Sequence, residues 1–146
     1  MDNGCETMTS TSVSSCGTCG TACAEPDGAT ATCSGGACGY TCRPGFADCN
    51  GTAGDGCEVA TATDAANCGS CGNACMLRDG AMAVGCTAGA CTITACEPDR
   101  ADCDGTYGNG CEVDTRVNRN HCGACGNACA PSQRCCGTEC RHVSDC

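Results

Sequence analysis

Large apolar side chains are scarce in this sequence of 146 residues. Tryptophan is absent, phenylalanine occurs once, and only six valines, one isoleucine and one leucine are present. When these residue types make up less than about 20% of a chain, the chain is expected to remain disordered, because it buries too little apolar surface to offset the loss of conformational entropy. The scarcity excludes an ordinary globular domain with a hydrophobic core, so covalent bonds or metal ions must hold the folded state.

Lysine is absent as well. The seven arginines stand against 17 acidic residues, and the formal net charge is −10. Because no basic patch is available to neutralise phosphates, the sequence predicts no nucleic-acid partner, and no segment is apolar enough to span a membrane. Residues 1–5 show neither the basic start nor the apolar run of a secretory signal, so we expect either a signal that has been removed or a piece of a longer chain.

Cysteine is the residue that the sequence has in abundance, with 24 copies. A cysteine content above roughly 8–10% is typical of a disulfide scaffold, and each bridge that closes a loop of about 15 residues contributes around 3 kcal/mol by restricting the unfolded chain. Disulfides persist only in oxidising compartments. The sequence therefore predicts that all the cysteines are oxidised and that the protein is extracellular or exposed at the cell surface.

The cysteines follow an internal repeat centred on an eight-residue knuckle, Cys-Gly-x-Cys-Gly-x-x-Cys. The knuckle occupies residues 16–23, 68–75 and 122–129, so successive copies begin 52 and then 54 residues apart. This spacing indicates tandem modules rather than one domain. The predicted modules are 1–54, 55–108 and the shorter 109–146, and we expect each to contact only its neighbours in an elongated rod.

Eight cysteines belong to each module, and ten residues separate the first two of them every time. Their pairing cannot be deduced from the sequence, because eight cysteines allow 105 connectivities. The first module has Cys5, Cys16, Cys19, Cys23, Cys33, Cys38, Cys42 and Cys49; the second has Cys57, Cys68, Cys71, Cys75, Cys86, Cys91, Cys96 and Cys103; the third has Cys111, Cys122, Cys125, Cys129, Cys135, Cys136, Cys140 and Cys146.

A β-hairpin is predicted after each knuckle. Residues 29–33 and 38–42 in the first module, and 82–86 and 91–94 in the second, are short β-prone runs around a glycine-bearing turn, and the third module has a shorter version over 133–142. No segment shows helical periodicity. The predicted fold class is a small disulfide-rich protein: three tandem cysteine-rich modules with short β-hairpins, little helix and no large hydrophobic core.

Two acidic linkers join the modules, and they are candidate calcium sites. Oxygen-bearing side chains at alternate positions, followed by a glutamate about ten residues later, resemble a calcium-binding loop in outline. The alternative is a set of turns with a solvated acidic surface, since Asp, Asn and Gly favour turns. No other cofactor is predicted. The candidate ligands are Asp48, Asn50, Asp55 and Glu58 in the first linker and Asp102, Asp104, Asn109 and Glu112 in the second.

Thiolate–metal binding is an alternative role for the cysteines. A zinc ribbon needs a second Cys-x-x-Cys after roughly 15–20 residues, whereas here the next knuckle begins 52 or 54 residues on. The two histidines, His121 and His142, have no nucleophile partner other than cysteines that are expected to be bridged. We therefore expect no enzyme activity, since a nucleophile needs an orienting base within reach.

The third module carries a more specific pattern. Its knuckle is preceded by Asn120-His121 and followed by Cys135-Cys136-Gly137 and Cys140. Over about 25 residues this pattern resembles the stigma-specific protein family of small secreted cysteine-rich proteins, and it is similar to tandem relatives in large secreted bacterial proteins. In the other two modules the likeness is limited to the knuckle. The resemblance implies an extracellular disulfide-rich module and implies no enzyme activity.

These observations predict a structural or adhesive extracellular repeat protein, a disulfide-stabilised subunit of a fibre or surface assembly. Its expected partner is itself, in a head-to-tail homopolymer, and glycans or cell-surface components are further candidates. The end sequences around Cys5 and Cys146 match the two halves of an internal linker, so a non-closing heterologous contact would generate a filament, and a mixed bridge through either cysteine would lock it. The alternative functions are a secreted binding or signalling module that presents loops to a receptor or glycan, and a metal-binding cysteine-rich protein.

Overall fold

The fold consists of short antiparallel strands joined by turns. A computed structural model describes residues 8–52 and 54–146, and it confirms the predicted fold class, a small disulfide-rich structure with β-hairpins and almost no helix. The helical pieces within the described residues are two 3-10 turns, Tyr107–Asn109 and Val143–Asp145, and no helix there is long and apolar enough to cross a membrane. The chain divides into two compact units, Met1–Asn73 and Ala74–Cys146.

Each knuckle is followed by a hairpin, as predicted. The hairpins pair β1 with β2, β3 with β4, and β7 with β8, while the very short β5 and β6 pair with each other. The strands are β1 (Ala29–Ser34), β2 (Ala37–Cys42), β3 (Ala81–Thr87), β4 (Ala90–Cys96), β5 (Arg100–Ala101), β6 (Val113–Asp114), β7 (Gln133–Cys136) and β8 (Glu139–His142).

Two-residue turns with positive φ set the register of these hairpins. Gly35 and Gly36 both have positive φ, at 60° and 80°, as a type I′ turn requires. The β3–β4 turn does the same with Ala88 at 51° and Gly89 at 78°, which places an alanine where L-residues are strained. In the β7–β8 turn only the first residue, Gly137, has positive φ, which is the pattern of a type II′ turn.

Disulfides tie the knuckle to the hairpin that follows it. Cys33 and Cys38 lie directly opposite each other on β1 and β2, yet Cys33 is bonded to Cys16 and Cys38 to Cys23. The same two bridges recur in the third repeat as Cys122–Cys135 and Cys129–Cys140, and the second repeat has Cys75–Cys91. Cys19, Cys68 and Cys86 are also disulfide-bonded, as is every other described cysteine; Cys5 lies outside the described residues.

Four further bridges cross the predicted module boundaries at 54/55 and 108/109. The 105 connectivities possible within each set of eight cysteines therefore do not include the observed arrangement. Backbone hydrogen bonds place two of these cysteines beside the start of the preceding hairpin: the amide of Cys57 donates to the Asp27 carbonyl at 2.8 Å, and that of Cys111 to the Asp79 carbonyl at 2.8 Å. The crossing bridges are Cys42–Cys57, Cys49–Cys71, Cys96–Cys111 and Cys103–Cys125.

The last bridge joins Cys136 to Cys146, with their Cα atoms 6.0 Å apart. Cys146 is therefore bonded within its own chain. The predicted mixed bridge through Cys146 is wrong, because the adjacent cysteine pair of the third repeat supplies Cys146 with a local partner. The same expectation for Cys5 lies outside the described residues.

The buried interior of the described residues is made largely of sulfur. Cys57, Cys68, Cys111 and Cys122 are the largest side chains that are fully buried. Alanine adds to this interior at the first positions of β1 and β3, and Val113 is the one buried branched apolar residue. Larger apolar side chains, such as Met76, Leu77 and Met82, are exposed. The fold is thus organised around bridges rather than around a hydrophobic core.

Candidate functional site

Each acidic linker forms a loop between two cysteines of the crossing bridges, Cys49 and Cys57 in the first loop and Cys103 and Cys111 in the second. The second loop lies between β5 and β6, where Ala101 pairs with Val113. In the first loop an isolated bridge between Ala47 and Val59 takes the same place. These loops hold the candidate calcium ligands.

In the second loop the carboxylates converge. Asp102, Asp104 and Glu112 each have an oxygen within 4.8 Å of the others. Backbone amides hold them there: Gly105 N donates to Asp102 Oδ1 at 2.7 Å, Thr106 N to Asp104 Oδ1 at 2.8 Å, and Cys103 N to Glu112 Oε1 at 3.0 Å. The remaining candidate, Asn109, donates from Nδ2 to Asp104 Oδ2 at 2.9 Å.

The first loop repeats these contacts with one exchange. Gly51 N donates to Asp48 Oδ1 at 2.6 Å, and Cys49 N to Glu58 Oε1 at 3.0 Å. The amide and the carboxylate have swapped places, because here Asn50 Nδ2 donates to Asp55 Oδ2 at 2.9 Å. Each loop therefore has one hydrogen bond from an asparagine side-chain amide to an aspartate, although the two residues exchange positions, and both loops have the same number of acidic groups.

Hydrogen bonds favour the ionised form of two of these carboxyls. The Tyr40 hydroxyl donates to Asp48 Oδ2 at 2.6 Å, which holds the pKa of Asp48 below its ordinary value and raises the pKa of Tyr40. The Thr106 amide and the Asn109 side chain likewise lower the pKa of Asp104. No arginine in the described residues lies within ion-pair distance of the candidate ligands. The carboxylates of both loops are thus without a described arginine partner, and those of the second loop form a cluster.

Calcium takes six to eight oxygen ligands. The second loop offers three carboxylate oxygens that already face one another, so backbone carbonyls or water would have to supply the rest. The contacts described above also suffice to fix both loops without an ion. The calcium interpretation therefore stays a prediction.

A tyrosine anchors the second loop to the chain that precedes β3. The Tyr107 hydroxyl donates to the Met76 carbonyl at 2.6 Å and accepts from the Met76 amide at 2.7 Å. The Arg78 guanidinium lies over the Tyr107 ring, 4.7 Å from its centroid, a cation–π arrangement.

The cysteine clusters do not offer thiolates. Sulfurs of Cys16, Cys23 and Cys38 come together, as do those of Cys122, Cys129 and Cys140, but each of these residues is disulfide-bonded. Zinc and iron bind the deprotonated thiol, so the proximity follows from the disulfide packing.

Both histidine side chains make local contacts in the described structure. His121 Nδ1 accepts from the Gly126 amide at 3.0 Å, and His142 Nδ1 lies 3.1 Å from Ser144 Oγ. The position of His121 is occupied by Ser15 in the first repeat and by Asn67 in the second, and each accepts from the equivalent glycine amide. In all three repeats a side chain with a hydrogen-bond acceptor stands immediately before the knuckle. That acceptor is the sequence signal for the hydrogen bond to the glycine amide.

Searches against protein-family models, curated proteins and solved structures find no match to this chain.

Proposed function

We propose that this chain is an extracellular structural repeat protein, a disulfide-stabilised subunit of a fibre or surface assembly. The observation that carries the proposal is the crossing of each repeat boundary by two bridges, Cys42–Cys57 with Cys49–Cys71, and Cys96–Cys111 with Cys103–Cys125. Successive repeats joined in this way stay linked when the peptide chain between them is stretched or cut. Such covalent continuity suits a structural protein that carries tension.

The density of bridges supports an oxidising location, since cytosolic thiols are kept reduced. The resemblance of the third repeat to the stigma-specific family is consistent with an extracellular module. The proposal assigns no catalytic role, because the histidine side chains of the described structure cap or contact local groups instead of orienting a nucleophile.

Assembly would proceed through non-covalent head-to-tail contacts between copies. The described cysteines are all bonded within the chain, so no described thiol remains to link copies. A heterologous contact that does not close on itself propagates as a filament.

Electron microscopy of the purified, oxidised protein tests this function. We expect ordered assemblies whose length grows with protein concentration, and none after reduction and alkylation, which removes the bridges. A protein that stays monomeric at every concentration, with all its disulfides verified by mass spectrometry, would contradict a structural role.

A secreted binding module is the second candidate. The supporting observation is an open depression of about 500 Å³ in unit 1, lined by Ala24, Pro26, Cys38, Gly39, Tyr40 and Gly54. Binding pockets commonly fall in the range of about 300–1,000 Å³. Glycan-array binding that is lost in Tyr40→Ala, without loss of the native circular dichroism, would favour this alternative.

A further inference from the structure

The third hairpin carries two exposed arginines that face each other. Arg134 on β7 is the direct cross-strand partner of Arg141 on β8, and both side chains are exposed. Like charges directly opposite in an antiparallel pair are destabilising. The hairpin therefore keeps an arrangement that costs it stability.

The other two hairpins show that the fold does not require this arrangement. In the third hairpin the arginine pair lies next to the cross-strand cysteine pair, on the side away from the turn, and the other two hairpins have an equivalent pair. The first hairpin has Thr32 opposite Gly39 there, and the second has Gly85 opposite Thr92. Small uncharged residues thus serve at two of the three equivalent sites, and the arginines are an addition in the third.

Arg134 has no charge partner among the described residues. Arg141 NH2 lies 2.7 Å from Glu139 Oε2, whereas no carboxylate of the described residues lies within ion-pair distance of Arg134. The hairpin thus presents two guanidinium groups against one carboxylate. Guanidinium groups bind carboxylates in a bidentate geometry, so the unpaired charge selects for an anionic partner.

The sequence itself supplies a surface of the opposite charge. Residues 109–146 contain four arginines and four acidic residues and are neutral overall, whereas residues 1–73 contain eight acidic residues and one arginine, a balance of −7. The arginine of the acidic segment, Arg43, lies 3.6 Å from Glu25. The first acidic loop has no described arginine within ion-pair distance. Its Asp55 and Glu58 side chains are exposed.

We propose that Arg134 and Arg141 bind two carboxylates of the first acidic loop, Asp55 and Glu58, on a second copy of this chain. Each of these carboxylates has one oxygen engaged in the loop, Asp55 Oδ2 with Asn50 and Glu58 Oε1 with Cys49, and the other oxygen is available to a guanidinium. Because one chain carries both charged surfaces, the contact is heterologous and repeats from copy to copy. The inference rests on the proposed structural role and names the interface that would build the assembly.

The test uses the whole oxidised chain in a calcium-free buffer and measures association by sedimentation equilibrium between about 50 and 500 mM NaCl, a range over which exposed charge interactions become screened. The variant R134T/R141G installs the Thr–Gly pair of the first hairpin. We expect it to raise the half-association concentration by at least about tenfold and to remove most of the salt dependence, since charged contacts across an interface set its salt response. The charge-matched control R116T/R119T removes two arginines of the same segment outside the hairpin and should change the half-association concentration by less than about threefold.

The acceptor side is tested with D55N/E58Q, which should weaken association as much as R134T/R141G does. If the wild-type chain associates and both paired variants associate equally well, the interface is wrong while the structural role stands. A wild-type chain that is monomeric throughout contradicts the interface and the structural role together. A monomeric chain that heparin retains through Arg134 and Arg141 assigns the arginines to a sulfated polysaccharide and overturns the second copy as partner.

Discussion

At the scale of single residues, cysteine takes the place of large aliphatic side chains. Composition predicted this, because nine valine, isoleucine, leucine and phenylalanine residues cannot form a core for 146 residues. The individual partners could not be predicted in the same way. Cys33 and Cys38 are nearest neighbours across the hairpin, yet both reach back to the knuckle, a choice that depends on how the knuckle packs and leaves no trace in the spacing.

Two glycines of the second acidic loop, Gly105 and Gly110, provide a prediction at this scale. Gly110 and Gly105 both have positive φ, at 81° and 71°, but a Cβ at Gly110 would overlap the backbone of Asp79, whereas a Cβ at Gly105 would meet nothing within 4 Å. We expect Gly105→Ala to lower the free energy of unfolding by about 1 kcal/mol through backbone strain alone. Gly110→Ala should cost about 2 kcal/mol more, because the clash displaces backbone. Urea unfolding of the oxidised proteins measures both, and equal losses in the two variants would contradict the packing of Gly110 on Asp79.

The ion pair of Asp114 predicts a dependence of stability on pH. Arg116 donates to both oxygens of Asp114, at 3.2 and 2.9 Å, and this lowers the pKa of Asp114 from 3.8 to about 2. A carboxyl whose pKa is depressed by folding stabilises the folded state above its unfolded pKa, and this contribution is lost as the pH falls through the folded pKa. The melting temperature should therefore fall between about pH 4 and pH 2.

Asp114→Asn should melt at a lower temperature than the wild type at pH 6, and the difference should shrink towards pH 2. Asp145→Asn is the matched control, because no described arginine lies within ion-pair distance of Asp145. Parallel pH profiles for Asp114→Asn and the wild type would show that the Arg116 contact does not stabilise the fold.

At the scale of the elements, the hairpins were predicted and the two short strands beside the second acidic loop were not. The first hairpin was expected over residues 29–33 and 38–42 and is found at Ala29–Ser34 and Ala37–Cys42, because a turn of two glycines between β-prone runs is a strong local signal. The strands Arg100–Ala101 and Val113–Asp114 were missed. Two residues are too few to show an alternating pattern, and their pairing depends on contacts between residues distant in the chain.

The candidate site was predicted in composition and not in geometry. The recurring Asp, Asn and Glu residues pointed to the loops, and the structure brings Asp102, Asp104 and Glu112 together. The contact that brings Glu112 to the aspartates, from the Cys103 amide to Glu112 Oε1, could not be predicted, because it spans nine residues and depends on how the loop folds back.

Calcium binding to the second loop is the prediction at this scale. We expect millimolar calcium to release measurable heat in a calorimetric titration and to raise the melting temperature, since an ion that binds only the folded state stabilises it. Glu112→Gln should abolish both effects by removing a charged ligand. Asp64→Asn is the control, because Asp64 instead accepts from the Ala66 amide at 2.8 Å and from Asn67. Absence of heat at millimolar calcium would leave the loops as turns held by their own hydrogen bonds.

At the scale of the whole molecule, the bridges replace the core, so their reduction should unfold the chain. Excess reductant without metal should abolish the β-hairpin signal in circular dichroism, because the remaining apolar surface is too small to hold a chain of this size. Alkylation of the untreated protein followed by mass spectrometry should label no cysteine. A native-like spectrum in reductant would mean that packing other than the disulfides stabilises the fold.

The order of the bridges also fixes how far the oxidised chain can be pulled. Between Met8 and Cys140 a covalent path passes through five of the described bridges, Cys16–Cys33, Cys49–Cys71, Cys75–Cys91, Cys103–Cys125 and Cys129–Cys140. This path follows about 44 residues of chain instead of about 132, each spanning at most about 3.5 Å when extended. With Cα–Cα distances of 5.3–5.8 Å across the bridges, the fully stretched length should not exceed about 180 Å, against about 460 Å after reduction.

Single-molecule stretching between handles at these two positions measures that length directly. Pairing of each cross-strand neighbour, such as Cys33 with Cys38, would bypass only a few residues in each hairpin and leave the oxidised length close to the reduced one. A length near 180 Å therefore requires bridges that reach from the knuckles to the hairpins and across the junctions. Removing only the Cys49–Cys71 bridge, by Cys49→Ser/Cys71→Ser, should lengthen the oxidised chain by about 25 Å. The increase is small because the Cys42–Cys57 bridge then carries the tension over a slightly longer path. A much larger increase would show that the two junction bridges do not act as alternatives, and the interlocked arrangement on which the structural role is based would be wrong.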